Sequence, residues 1–271
     1  MSEMSETPGD SRPVPSGGKS PRSRAVAFNT GPEDLVSWCW YEFAYLINFP
    51  LYRSLWGLRV KGTPRVPRKG PLLVITNHQS MLDPLGMGVA MRRHMAFLAR
   101  KNLFSNKFFA AAIRTLGAVP VDREGSGISG LKAVMSLLDA GRAVLIFPEG
   151  SRTENGRMSA FEPGVTTIIR KKKPTVLPVG IAGAYEAWPR ASGIKLSLPI
   201  FPPTSAAMAM SIGEPLSGEE LAEMDRDAQL RFLFDRVAKE QFEAEKLRRQ
   251  GRYLSGELLK EPVLNTWPET T

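Results

Sequence analysis

The chain has 271 residues, 42% of them hydrophobic, which is enough for one large domain or two small ones with a sizeable core. Its 36 Lys and Arg against 27 Asp and Glu give a formal net charge of +9, favouring anionic partners: phosphates, acidic lipids or nucleic acid. The lone Cys39 excludes an internal disulfide and a cysteine metal cluster and fits a reducing compartment, and the two histidines, His78 and His94, lack metal-ligand spacing.

Residues 1–33 are rich in Ser, Pro, Gly and charge, with no apolar run, and read as a disordered tail rather than a signal peptide. Within them Gly17-Gly18-Lys19-Ser20 resembles the end of a phosphate-binding loop, but Pro13 stands where that loop needs its first glycine. Residues 34–58 are aromatic, with Trp38, Trp40, Tyr41, Phe43, Tyr45, Phe49, Tyr52 and Trp56. Glu42 interrupts the apolar run and Pro50 breaks it, so the segment falls short of the ~20 clean apolar residues a spanning helix needs. Aromatic residues prefer the headgroup level, and Arg59, Lys61, Arg65, Arg68 and Lys69 follow. The expectation is a pair of interfacial helices on an anionic leaflet, peripheral or monotopic on the cytoplasmic side. Two ordinary helices packed on the domain through their aromatic rings, or a single membrane span, are the alternatives.

Residues 59–215 alternate short apolar runs with helical patterns, which predicts an α/β fold: a mostly parallel mixed sheet covered by helices. The predicted strands are 72–76, 95–99, 118–121, 143–147, 175–179, 195–198 and 207–212; helices are predicted over 107–116 and 128–140. Residues 216–271 form a charged C-terminal helix, from about 218 to 250, and a tail. Leu221, Leu230, Phe232, Leu233, Phe234 and Val237 supply its apolar stripe, and its charges read as a solvated face.

In open α/β sheets ligands gather at the carboxyl ends of strands. Asn77-His78 follows the first predicted strand, Asp122-Arg123 the third, and Pro148-Glu149-Gly150-Ser151-Arg152 the fourth. His78 and Asp83 lie five positions apart. Imidazole exchanges protons near neutral pH, and a fixed carboxylate can set its tautomer and stabilise the imidazolium, so the pair suits general-base work. The same residues also fit a turn in which Asp83, followed by Pro84, caps a helix. Arg123 and Arg152 match phosphate geometry, or form surface ion pairs with Glu124 and Glu154. Glu149 either fixes an arginine, accepts from a substrate hydroxyl, or caps its loop. Gly125-Ser126-Gly127-Ile128-Ser129-Gly130 matches a dinucleotide fingerprint on paper, but Asp122 and Glu124 would face the pyrophosphate. Nucleic-acid binding would explain the charge alone, since no basic recognition element is present.

Asn77-His78-x4-Asp83, Gly117-Ala118-Val119-Pro120-Val121-Asp122-Arg123, Phe147-Pro148-Glu149-Gly150-Ser151-Arg152 and Val176-Leu177-Pro178-Val179-Gly180-Ile181 occur in that order. Together they resemble the glycerolipid acyltransferase family, in its 1-acylglycerol-3-phosphate acyltransferase branch, over roughly residues 60 to 215. Ser151 stands where that family often has Thr, and Phe161-Glu162-Pro163-Gly164 carries an acid where it usually has Lys. The resemblance implies an acyltransferase of phospholipid biosynthesis that makes phosphatidic acid. It takes acyl-CoA or acyl carrier protein as donor, a lysophospholipid as acceptor, an anionic membrane surface as partner, and no cofactor. His78 and Asp83 would be catalytic. Asn77, Arg123, Glu149, Gly150, Ser151 and Arg152 would bind substrate, with Asn77 and nearby amides stabilising the oxyanion. The alternatives are another lysolipid acceptor, or a non-enzymatic membrane lipid-binding protein.

Overall fold

A computed structural model describes residues 32–121, 128–190, 192–198, 204–250 and 261–268. The expected tail (1–33) lies almost wholly outside these residues, as do Asp122, Arg123 and the first half of the Gly125–Gly130 run.

The first helix, α1 (Pro32–Trp56), leads into strand β1 (Arg59–Lys61). Then come β2 (Leu72–Thr76), α2 (Asp83–Met91), β3 (Met95–Arg100), α3 (Lys107–Thr115), β4 (Ala118–Val121), α4 (Ile128–Asp139), β5 (Ala143–Ile146), α5 (Gly164–Lys172) and β6 (Thr175–Ala182). A short α6 (Ala184–Ala187), β7 (Ala209–Ile212), α7 (Gly218–Glu223) and α8 (Arg226–Arg248) complete the order. Among the described residues the strands form one sheet, ordered β1-β7-β6-β2-β5-β3-β4, in which only the β6–β7 pair is antiparallel. This is the expected mixed, mainly parallel α/β sheet.

Strand alternation divides the core. Leu72 and Val74 of β2 join Tyr52, Trp56 and Met87 on the α1/α2 face. Leu73 and Ile75 join Val134, Ile168, Phe234 and Val237 on the face covered by α4, α5 and α8. With both faces covered, β2 is buried along its whole length, which is why its sequence reads as an unbroken apolar run.

Four elements differ from the sequence reading. Pro50 does not break the N-terminal segment, which is one helix of 25 residues. Proline removes an N–H that would pair with the carbonyl of Leu46, and both residues lie on the exposed side of α1. Meanwhile Tyr52 and Trp56 anchor the last two turns: the Tyr52 hydroxyl donates to Leu82 O at 2.7 Å and Trp56 Nε1 to Lys195 O at 2.9 Å. The stretch 195–198 is a loop, not a strand. β1 was missed because three residues carry no periodicity. The C-terminal helix is two helices, parted where the Asp225 side chain caps α8 by accepting from the amides of Asp227 and Ala228.

Nor is α8 merely solvated on its charged side. Arg248 is 2% exposed and pairs with Glu245 at 2.7 Å and Glu186 at 3.1 Å, while Glu240 accepts from the buried Ser211 hydroxyl at 2.5 Å. These groups lie where α8 crosses β6 and β7, and each is paired, as buried charge requires.

Candidate active site

The register aligns the carboxyl ends of β2, β5 and β6, pairing Ile75 with Ile146 and with Pro178. The loops after β2 and β5 therefore emerge side by side, and backbone bonds knit them. Glu149 Oε1 accepts from the His78 amide at 2.7 Å, and His78 O accepts from the Thr153 amide at 2.8 Å.

The His78 ring stands between two supports. Its Nδ1 lies 2.8 Å from Asp83 Oδ2. Its face stacks on Phe147, with centroids 3.8 Å apart and planes 17° from parallel. Asp83 is fully buried at the first residue of α2, and both readings of the seven-residue stretch hold in part. The carboxylate does organise a turn, but it faces backward: Oδ2 accepts from the amides of Gln79 and Ser80 at 2.6 and 2.8 Å. It thus fixes the loop that carries the histidine. With Nδ1–H donating to Asp83, Nε2 is the basic nitrogen, and it has no hydrogen bond among the described residues. The side chain is 17% exposed.

Asn77 has a different task from the one expected of it. It is 1% exposed; its Nδ2 donates to Ile181 O at 2.9 Å and its Oδ1 accepts from Ile181 N at 2.8 Å. The side chain thus continues the β2–β6 ladder by a step and is not turned toward an oxyanion. Glu149, also buried, does cap its loop: Oε2 accepts from the Ser159 amide at 2.7 Å, opposite the Oε1 bond to His78. Burial pushes its carboxyl up to about 7 against the pull of those two amides, with Asp83 adding to the rise. Among the described residues no arginine engages it. Gly150 sits at φ +71°, a left-handed turn that side chains rarely adopt, and Ser151 is exposed beside it.

Arg152 is half-buried at this end of the sheet and does not pair with Glu154, which lies 3.6 Å from Arg190 instead. Burial first, then the charges of Arg190 and Arg100, lower the Arg152 pKa, while Asp83 opposes them. Arg100 and Arg190 thus lie near enough for their charges to act on Arg152, as does Asp83, and Arg100 and Arg152 have no ion pair among the described residues. Sequence reading missed two of the three. Arg100 ends β3, so the strand-end rule that located the other clusters applied to it as well; Arg190 lies in a loop without a pattern.

A base tied to a carboxylate, with guanidinium groups near it, suits proton abstraction from a substrate bearing an anionic group. Residues 57–182 match the family model described as Acyltransferase. The likeness to that family covers a little under half of the chain. The chain is 29% identical over 153 residues to the chloroplast 1-acyl-sn-glycerol-3-phosphate acyltransferase of Arabidopsis thaliana, a match covering 55% of this chain and 42% of that protein. It is 28% identical over 169 residues to the 1-acyl-sn-glycerol-3-phosphate acyltransferase of Bacillus subtilis, covering 62% and 78%. With the human alpha enzyme of the same name it shares 32% over 139 residues, 49% of each chain. The matched region thus spans less than half of the plant and human relatives. The crystal structure of the acyltransferase PlsC from Thermotoga maritima superposes with a TM-score of 0.62 at 22% identity, over 80% of this chain and 81% of that one, and shares the fold. The four motif blocks that suggested the acyltransferase family thus lie largely within the matched domain, and His78 and Asp83 lie inside it.

Proposed function

We propose that this protein is an acyltransferase, moving a fatty acyl group from acyl-CoA or acyl carrier protein to the free hydroxyl of 1-acylglycerol-3-phosphate and giving phosphatidic acid. The observation that carries this reading is the His78 Nδ1–Asp83 Oδ2 bond of 2.8 Å, which leaves Nε2 as the base. Nε2 takes the hydroxyl proton as the oxygen attacks the thioester carbonyl, and Asp83 stabilises the imidazolium. The tetrahedral intermediate expels the thiolate, the C–S bond breaks, and the imidazolium returns the proton to sulfur. General-base help of this kind contributes ~10²–10⁴-fold. Arg100, Arg152 and Arg190 hold the acceptor phosphate, since guanidinium matches it bidentately. The relatives' names support this choice of acceptor.

The proposal includes a membrane surface. No helix among the described residues is long and apolar enough to cross a membrane. Yet α1 is apolar on both sides. Tyr52 and Trp56 are buried against the body, while Trp40, Phe43, Leu46, Ile47, Phe49 and Leu51 are exposed. A helix apolar all round needs cover on both sides, and a bilayer interface supplies it.

The deciding experiment measures thiol release from acyl-CoA with a panel of lysolipids. Lysophosphatidic acid should be the best acceptor. Equal rates with a neutral lysolipid would remove the phosphate from the reading, and no thiol release with any acceptor would remove acyl transfer.

A further inference from the structure

At the far end of α2 from the catalytic pair lies an open groove of about 240 Å³, walled by Tyr45, Phe49 and Val89 and carrying two guanidinium groups, Arg53 and Arg92. We propose that this groove binds the phosphate-bearing headgroup of an anionic membrane phospholipid, at a site separate from that of the acyl acceptor. The inference rests on the membrane-surface reading above and gives it a chemical specificity.

Tyr45, Phe49 and Arg53 recur every four residues, so they form one stripe along α1. Arg92 closes α2 at φ 48°, ψ 35°, the left-handed position usually filled by glycine. A bulky side chain is held there against its preference, and it points at the same stripe. Arg92 Nε donates to the Tyr45 hydroxyl at 2.9 Å, and the guanidinium carbon lies 5.6 Å from that ring's centroid. One edge of the fork is thereby fixed. Neither Arg92 nor Arg53 has an acidic partner among the described residues. Glu42, the acid one turn before Tyr45, is engaged with His94 at 3.4 Å. A cation near a helix C-terminus offsets exposed carbonyls, which accounts for one arginine at each helix end. It does not account for both being unpaired in one groove, or for the left-handed backbone of Arg92.

Asp83 opens α2 and Arg92 follows its last residue, so roughly 13 Å of helix separates the two sites at 1.5 Å per residue. The exposed Leu46 and Phe49 lie on the same helix as Arg53. With those side chains below the headgroups, the two arginines sit at headgroup level.

The test is sedimentation with phosphatidylcholine vesicles, with and without phosphatidylglycerol, at constant ionic strength. A basic residue near an anionic leaflet contributes about 1 kcal/mol, so losing both should weaken binding to the anionic vesicles roughly 30-fold. The Arg53→Gln/Arg92→Gln variant should show that loss and bind neutral vesicles as the wild type does. Arg231→Gln/Lys239→Gln removes the same charge from exposed positions of α8, on the opposite face of the sheet, and should lose less than about threefold. Equal losses in the two variants would mean a net-charge effect and overturn the site, as would unchanged anionic binding in the first. Inorganic phosphate should release the wild type from anionic vesicles more than chloride of equal ionic strength does, since it competes for the same guanidinium groups; equal release by the two salts would overturn phosphate recognition. A wild type that sediments with neither vesicle removes the membrane reading and this site together. Loss confined to the Arg53/Arg92 variant upholds both.

Discussion

A single oxygen of Asp83 serves His78 and the loop that carries it: Oδ2 lies 2.8 Å from His78 Nδ1 and also accepts from the amides of Gln79 and Ser80 at 2.6 and 2.8 Å. The other oxygen, Oδ1, is buried without a hydrogen-bond partner in the structure. The carboxylate is thus a fixed part of the turn, and the imidazole takes its orientation from it.

That asymmetry separates orientation from charge. In Asp83→Asn the amide oxygen can keep all three donors while the NH₂ occupies the place of Oδ1, so the protein should fold. The imidazolium then loses its counter-charge, and kcat should fall at least ~100-fold, with His78→Ala losing ~10²–10⁴-fold. Steady-state thiol release checks both; an Asp83→Asn enzyme within tenfold of wild type would take Asp83 out of proton handling.

Arg152 should act through the acceptor. Charge-assisted hydrogen bonds contribute about 1.5–3 kcal/mol, so Arg152→Ala should lower kcat/KM for lysophosphatidic acid roughly 10- to 150-fold, mainly through KM. An acceptor without the phosphate should be affected far less. A uniform loss across acceptors would point to a structural role for Arg152.

Glu149 gives a pH-dependent stability. Its carboxyl is raised from 4.5 to about 7, so between those values the native chain holds a proton that the unfolded chain releases. Its contribution to stability therefore falls as pH rises through that window. Glu149→Gln removes this slope, and its one amide oxygen cannot serve both the His78 and Ser159 amides, so the variant should lose about 1–3 kcal/mol at pH 5. Urea unfolding should show the gap to wild type narrowing as pH rises toward 7. A widening gap would mean that the two amide bonds outweigh burial and hold the carboxyl low.

Gly180 is needed for packing. A Cβ there would stand 1.9 Å from Gln241 N and 2.1 Å from Glu240 C, backbone atoms of α8 that cannot step aside. Gly180→Ala should destabilise by more than ~3 kcal/mol, visible as a lowered Tm or loss of soluble protein. An unchanged Tm would mean that α8 moves off the sheet at little cost.

The outer face of α1 can be altered without touching its inner one. Phe43 and Leu46 are 51% and 68% exposed, so Phe43→Ser/Leu46→Ser should leave the Tm nearly unchanged, as surface substitutions do. Vesicle sedimentation should drop at least ~10-fold, given ~1.5–3 kcal/mol for burying each large apolar side chain. Unaltered sedimentation would place the membrane contact elsewhere.

Local chemistry made part of this protein readable from its sequence. The apolar runs of the central strands, the polar clusters at their ends and the His78–Asp83 spacing depend on residue type and near neighbours, and they indicated the sheet, its binding end and the base. Boundaries and roles were less legible. Pro50 reads as a break, yet α1 continues because distant Leu82 and Lys195 carbonyls hold its last turns. Asn77 and Glu149 read as ligand-facing polar groups. Only the fold brings the Ile181 backbone to one and the Ser159 amide to the other, and buried polar atoms must take the partners nearest them. Arg100 ends β3 while Arg152 and Arg190 lie in two separate loops, and their charges act on one another only because strand order places β3 and β5 side by side. Sequence by itself determined which chemical groups are present and which strand ends carry them. Tertiary structure decided which of those groups remain unpaired and therefore available to a substrate, because hydrogen-bond and ion-pair partners are set by distance in space rather than along the chain.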